Sequence, residues 1–126
     1  MKELKLTIEI NKPVEEVFAF TINPENTPKW IAFIVGEQTN EWPPKLGTIY
    51  RNQNTAGEWR EFAVTAFDQD KRFELSAKHG FHVSYLLTPI DEGTTELEYS
   101  EWMDDGELED ILTIDILEKF KRAVEA

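Results

Sequence analysis

From Leu4 to Ile10 the chain alternates strictly, with Leu4, Leu6, Ile8 and Ile10 set between Glu3, Lys5, Thr7 and Glu9. A period of two collects the aliphatic side chains on one face and predicts a half-buried strand. Asn11 and Pro13 then open a helix, because proline is preorganised for the first helical position and its missing N–H costs nothing there. Val14, Val17, Phe18, Thr21 and Ile22 follow at helical spacing. Asn23-Pro24 ends this helix, since the residue before a proline avoids the helical region. Pro24 to Trp30 predicts a second short helical turn that ends on Trp30.

From Ile31 to Met103 the period returns to two. The predicted strands are Phe33 to Thr39, Thr48 to Asn54, Glu58 to Phe67, Arg72 to Lys78, Phe81 to Thr88 and Thr94 to Trp102. Between them lie Trp42-Pro43-Pro44, Asn54-Thr55-Ala56-Gly57, Asp68-Gln69-Asp70, His79-Gly80 and Asp91-Glu92-Gly93, all turn chemistry. Breaks this short permit antiparallel hairpins only, because parallel neighbours need a crossover of about a dozen residues.

The chain closes on a predicted long amphipathic helix. Asp104 and Glu107 fit a capping box, with Met103 and Leu108 at staple spacing around it. Leu108, Leu112, Ile116, Phe120 and Ala123 form one stripe, widened by Leu117 and Val124. Asp105, Glu109 and Asp110 lie early and Lys119, Lys121 and Arg122 late, as the helix dipole favours. A sheet of about seven strands twists and curls, and its concave face needs a cover. The last helix is the only element long enough to supply one. The predicted architecture is therefore α+β: a curved antiparallel sheet around the C-terminal helix, with a space between them.

Phasing names the inward residues. Phe62, Val64 and Ala66 share a face, as do Phe73, Leu75 and Ala77, and Leu97, Tyr99, Glu101 and Met103. One register stays open. A two-residue His79-Gly80 turn would face His82, Ser84 and Leu86 inward. Apolar phasing favours Val83, Tyr85 and Leu87 instead and requires a longer loop or a bulge; it is preferred because it buries a whole apolar face. It leaves His82 outside and His79 near the mouth of the sheet.

Composition bounds the function. A chain of 126 residues forms one domain, residues 1–126, with a core that needs no staples. A net charge of −12 argues against nucleic acid and anionic membranes, which call for clustered Lys and Arg. About half of the excess falls in residues 101–126, which hold nine acids and three bases. The absence of Cys excludes disulfides and thiolate chemistry. Two His in no ligand spacing give no metal site, and no phosphate-binding glycine motif or GxSxG occurs, so no metal or cofactor is expected. With no signal peptide and no apolar run of membrane-spanning length, the expectation is a soluble, cytoplasmic protein.

Four stretches stand out within this order of elements: Ile10-Asn11-Lys12-Pro13-Val14-Glu15-Glu16-Val17-Phe18, Asn23-Pro24-Glu25-Asn26-Thr27-Pro28-Lys29-Trp30, Gly47-Thr48-Ile49-Tyr50-Arg51 and Gly93-Thr94-Thr95-Glu96-Leu97. Together with that order they carry a resemblance to the helix-grip fold of the Bet v 1 and START-like (SRPBCC) superfamily, and most closely to its bacterial polyketide cyclase/dehydrase-like group. It spans nearly the whole chain, but its motifs are structural and do not choose a function. The Hsp90 co-chaperone-like branch typically carries a proline-rich turn between middle strands, where this chain has Asp68-Gln69-Asp70-Lys71.

The resemblance implies a small apolar or aromatic ligand held between sheet and helix, with polyketide cyclisation or dehydration as the enzymatic version. The expected ligand contacts are Tyr50, Phe62, Phe73, Tyr85, Tyr99, Ile116 and Phe120, with Asn52 and Glu101 as polar specifiers. Tyr50 and Asn52 are placed inward by the resemblance. Glu101 is the candidate acid or base, since a carboxylate in phase with a core face needs a partner or a neutral form. His79 is a second candidate. The rival reading is a binding or regulatory module without chemistry, acting through its acidic surface or a homodimer. Trp59 and Trp102 lie out of phase with the inner faces and, with Ile111 and Ile114, could mark that contact. Trp30 is expected to anchor the second helical segment to the sheet.

Overall fold

A computed structural model describes residues 3–108 and 113–126. The opening alternation becomes β1 (Glu3–Ile10), and Pro13 stands as N-cap of α1 (Val14–Ile22). A 3-10 segment, Pro24–Lys29, follows and ends on Trp30. Six strands come next: β2 (Ile34–Thr39), β3 (Ile49–Asn54), β4 (Trp59–Asp68), β5 (Arg72–Ser76), β6 (Phe81–Asp91) and β7 (Thr94–Met103). The chain ends in α2 (Ile114–Glu125).

All seven strands form one antiparallel sheet in the order β1-β7-β6-β5-β4-β3-β2. Strands β2 to β7 follow one another as hairpins, while β1 pairs with the last strand. Consecutive strands β1 and β2 therefore sit at opposite edges. The segment between them must cross the concave face, and that segment is α1 with the 3-10 turn. α1 packs on β6 and β7, and the 3-10 turn on β2. Pairing shifts by one residue between Ile34 and Gly36, between Val64 and Ala66, and between Pro89 and Asp91. Each such bulge bends its strand and deepens the curl.

The second bulge corrects one expected face. Phe62 and Val64 are inward and buried, but the next inward residue on β4 is Phe67, not Ala66. The Phe67 ring meets Phe73 at 6.2 Å and Phe18 at 5.5 Å. The open register of β5 and β6 resolves in favour of the apolar face. Ser76 pairs with His82, and the loop Lys78-His79-Gly80 closes with Ala77 O accepting from Gly80 N at 3.0 Å. Gly80 takes φ +95°, a value that costs a residue with a Cβ. Val83, Tyr85 and Leu87 consequently face inward and are buried.

The C-terminal helix is shorter than its sequence pattern predicts. Asp104 does not cap it. Its backbone N–H donates to Gly80 O at 2.9 Å, which prolongs the β7 edge, and its carboxylate meets His82 Nε2 at 2.9 Å. Gly106 then turns the chain at φ +93°. With the carboxylate engaged elsewhere and the backbone reversed, no helix can start at this point. Leu108 is buried but outside the helix, whose N-cap is Thr113. Leu112 of the expected stripe, the early acids Glu109 and Asp110, and Ile111, a candidate for the dimer contact, lie outside the described residues. The buried face of α2 is Leu117, Phe120 and Val124, with Ile116 half-buried. α2 packs against β1, α1 and the 3-10 segment. Its last turn is tied down by Glu125, which accepts from Asn11 N at 2.7 Å, and by Lys121, which donates to Glu9 O at 2.9 Å.

Candidate ligand-binding cavity

Because α2 packs toward the β1 side, it leaves much of the concave face on the β2–β5 side uncovered. A cavity of about 570 Å³ occupies this region. The sheet supplies Ile34, Phe62, Phe73, Leu75, Val83, Tyr85 and Tyr99, α1 supplies Thr21, and the 3-10 segment and the chain after it supply Thr27 and Ile31. Thr55, Ala56, His79 and Glu107, from loops and exposed, form its mouth.

Two carboxylates face this apolar space from opposite sides. Glu101, on β7, continues the period of Leu97 and Tyr99 and is only 3% exposed. It accepts a hydrogen bond from the Tyr99 hydroxyl. Glu37, on β2, accepts from the Thr27 hydroxyl at 2.6 Å and from Asn52 Nδ2 at 3.4 Å. Burial pushes the Glu37 carboxyl up to about 7, against the opposing pull of those two hydrogen bonds. Tyr85 and Tyr99 are pushed well above the usual phenol range, chiefly by burial. Both phenols thus stay protonated, and that of Tyr99 donates to Glu101. Glu37 can gain or lose a proton near neutral pH without large cost, which is the property required of a general acid or base.

Asn52, Phe62, Phe73, Tyr85, Tyr99, Glu101 and His79 all line the cavity, so sheet phasing and resemblance brought together most of the anticipated set. Tyr50, Ile116 and Phe120 do not border it. Tyr50 is spent on the fold: its hydroxyl donates to Ile22 O at 2.7 Å, which pins the end of α1 to β3. Phe120 is fully buried between Trp30, at 4.9 Å, and Phe20, at 5.2 Å. Ile116 packs beside that cluster. Trp30 is the expected anchor, meeting Phe120, Tyr85 and Tyr99 edge-on.

Glu37 escaped the phasing argument. Strict alternation from Ile34 would send it outward, and the bulge between Ile34 and Gly36 turns it in. The glycine in an otherwise regular strand was the available signal. The outer sheet face holds the remaining candidates. His82 stacks on Trp102 at 5.0 Å and bonds Ser76 through Nδ1 at 2.6 Å. Trp59 is exposed and lies under the Arg51 guanidinium at 5.0 Å.

A curled seven-stranded sheet with a C-terminal helix and an internal cavity defines a helix-grip protein of the Bet v 1-like type. The chain belongs to the family described as polyketide cyclase / dehydrase and lipid transport, whose model matches residues 1–125. Among functionally curated proteins, none matches the sequence. Solved structures match closely in fold. The solution structure of the Aha1 dimer from Colwellia psychrerythraea is similar at TM-score 0.73 and 16% identity, covering 99% of this chain and 97% of that one. The protein XoxI from Bacillus cereus is similar at TM-score 0.73 and 15% identity, over 98% and 93% of the two chains. A norcoclaurine synthase point mutant from Thalictrum flavum, in complex with a transition-state analogue, is similar at TM-score 0.69 and 13% identity, over 98% and 91%. At these identities the likeness is one of fold. No helix among the described residues is long and apolar enough to cross a membrane.

Proposed function

We propose that this protein binds a small apolar or aromatic molecule in the cavity beneath β2–β7 and orients it through Glu37, Asn52 and Glu101. One observation carries the reading: a space of about 570 Å³ walled by aromatic side chains is also lined by the carboxylates of Glu37 and Glu101. Burial of apolar ligand surface supplies affinity, and a few polar groups supply orientation. The family description supports the same reading and suggests its enzymatic version, in which Glu37 moves a proton during cyclisation or dehydration of a polyketide-like substrate. His79 at the mouth and Glu101 inside remain the other candidate proton carriers.

The test uses the neutral fluorescent probe N-phenyl-1-naphthylamine. Saturable binding with a blue-shifted emission is expected, lost in Leu75→Trp, whose indole would fill the space, and weakened in Thr55→Trp, which narrows the mouth without touching the core. No saturable binding, or binding unchanged in both variants, sinks the reading.

A second reading has its own observation. On the outer face Leu86 is 40% exposed and lines, with Ser84, Ser100 and Trp102, a surface depression that a homodimer would cover. Sedimentation of the wild type against Leu86→Lys tests it. A monomer in both removes it.

A further inference from the structure

The cavity's charge pattern names a class of guest, and the argument rests on the binding reading above. Its interior acids are Glu37 on β2 and Glu101 on β7. Among the described lining residues the one fixed cation is Arg60, which is exposed on β4 and faces water at the rim. Exposure screens the guanidinium, whereas the two carboxylates act through a poorly polarisable interior. The rings of Phe62, Phe73, Tyr85 and Tyr99 line the same cavity, and an aromatic ring attracts a cation placed over its face. An ammonium group entering this space meets the two carboxylates among aromatic side chains. A neutral isostere gains the apolar burial alone, and a carboxylate isostere adds like charge to a region that already holds two acids.

We infer that the cavity selects a cationic aromatic guest, an aryl-alkyl amine, over neutral and anionic molecules of the same shape. The amine would sit between Glu37 and Glu101 with its ring against Phe73 and Tyr85. Its charge reverses the balance that keeps a proton on Glu37. Guest binding therefore releases a proton when the pH lies below about 7, and affinity rises with pH toward that value. The groups facing Glu37 are Thr27 from the 3-10 segment, Asn52 and Tyr50 from β3, and Tyr85 from β6. Glu101, Arg60, His79 and Glu107 share the cavity with it. His79→Gln isolates the Glu37 contribution from any proton exchanged at the mouth.

The experiment is calorimetric titration with three isosteres: 2-(1-naphthyl)ethylamine, 2-(1-naphthyl)ethanol and 1-naphthylacetate. A net charge of −12 attracts any cation, so the titrations are run at about 0.15 M salt, where long-range attraction is largely screened. The amine is expected to bind about tenfold more tightly than the alcohol, with the carboxylate weakest. Glu37→Gln and Glu101→Gln should each shrink the amine-to-alcohol ratio several-fold. In the His79→Gln protein, titrations at about pH 6 in buffers of different ionisation enthalpy should register proton release, and adding Glu37→Gln should abolish it. Equal or tighter binding of the alcohol or the carboxylate overturns the inference. So does an amine preference that survives both glutamine substitutions, since it would reflect the acidic surface. If the amine does not bind while N-phenyl-1-naphthylamine does, the inference falls and the cavity reading stands; if neither binds, the cavity reading falls with it.

Discussion

Ile34 and Glu37, three residues apart on one strand, face the same side of the sheet. Ile34 pairs with Asn54 and Glu37 with Asn52, which share a face of β3, and the residue inserted between them is absorbed by the bulge at Gly36. A carboxylate that alternation would leave in water is thereby delivered to an apolar cavity, where Thr27 and Asn52 hold it.

That placement has a stability signature. The Glu37 carboxyl is raised from 4.5 to about 7 in the folded protein, so between those values the native state holds a proton that the unfolded state has lost. The stabilising contribution is complete below about pH 4.5 and disappears as pH rises through about 7, over a range worth up to about 3 kcal/mol. Urea denaturation at steps from about pH 4.5 to pH 8 should give Glu37→Gln a flatter profile than the wild type. Parallel profiles would mean that Glu37 titrates as it would in water.

Tyr99 and Glu101 form a buried pair whose hydroxyl hydrogen bond stabilises the carboxylate. Tyr99→Phe keeps the ring and removes the donor, and should cost about 1–3 kcal/mol. In a double-mutant cycle with Glu101→Gln, the two substitutions should be non-additive by about 0.5–3 kcal/mol. Additive losses would show that the hydroxyl and the carboxyl act independently.

Phe120 is fully buried and meets Trp30, Phe20 and Tyr85. Truncation to alanine removes the centre of the α2 contact and should destabilise the protein by about 3–5 kcal/mol. A loss below about 1 kcal/mol, read from denaturant midpoints, would mean that α2 is not packed as described.

Gly80 closes the β5–β6 loop at φ +95°, and a Cβ there would also lie 3.4 Å from the Asp104 side chain. Gly80→Ala is expected to cost about 1–3 kcal/mol, mostly backbone strain. Gly47→Ala has a similar φ, +91°, and open space around it, so it isolates the strain alone. The two losses should agree to within about 1 kcal/mol; a much larger one at Gly80 would show that the Asp104 contact is rigid.

Much of this fold was legible because local signals agreed with one another. Pro13, Asn23-Pro24 and the Gly-containing turns punctuate the chain where the elements begin and end, and period-two phasing put Phe62, Phe73, Tyr85, Tyr99 and Glu101 on one face. The resemblance, carried by motifs from Ile10 to Leu97, supplied the helix-grip arrangement, while the pairing of β1 with β7 came only from the structure. Tyr50 and Phe120 were rightly read as inward, yet inward did not mean at the cavity. Facing the concave side is a property of a strand or helix, whereas bordering a void depends on what else packs there.

The sequence by itself determined the strand and helix types and the antiparallel order, because periodicity and turn chemistry act within a few residues. The start of α2, the inward turn of Glu37 and the position of the cavity were decided only in three dimensions. Asp104 was free to cap a helix until the β7 edge placed it against Gly80 and His82. Ile34 and Glu37 share a face only because a bulge is accommodated by β3. The cavity lies where α2, packed toward β1, leaves part of the sheet uncovered. Each outcome depends on partners far away in the chain, and local pattern carries no information about which distant group arrives first.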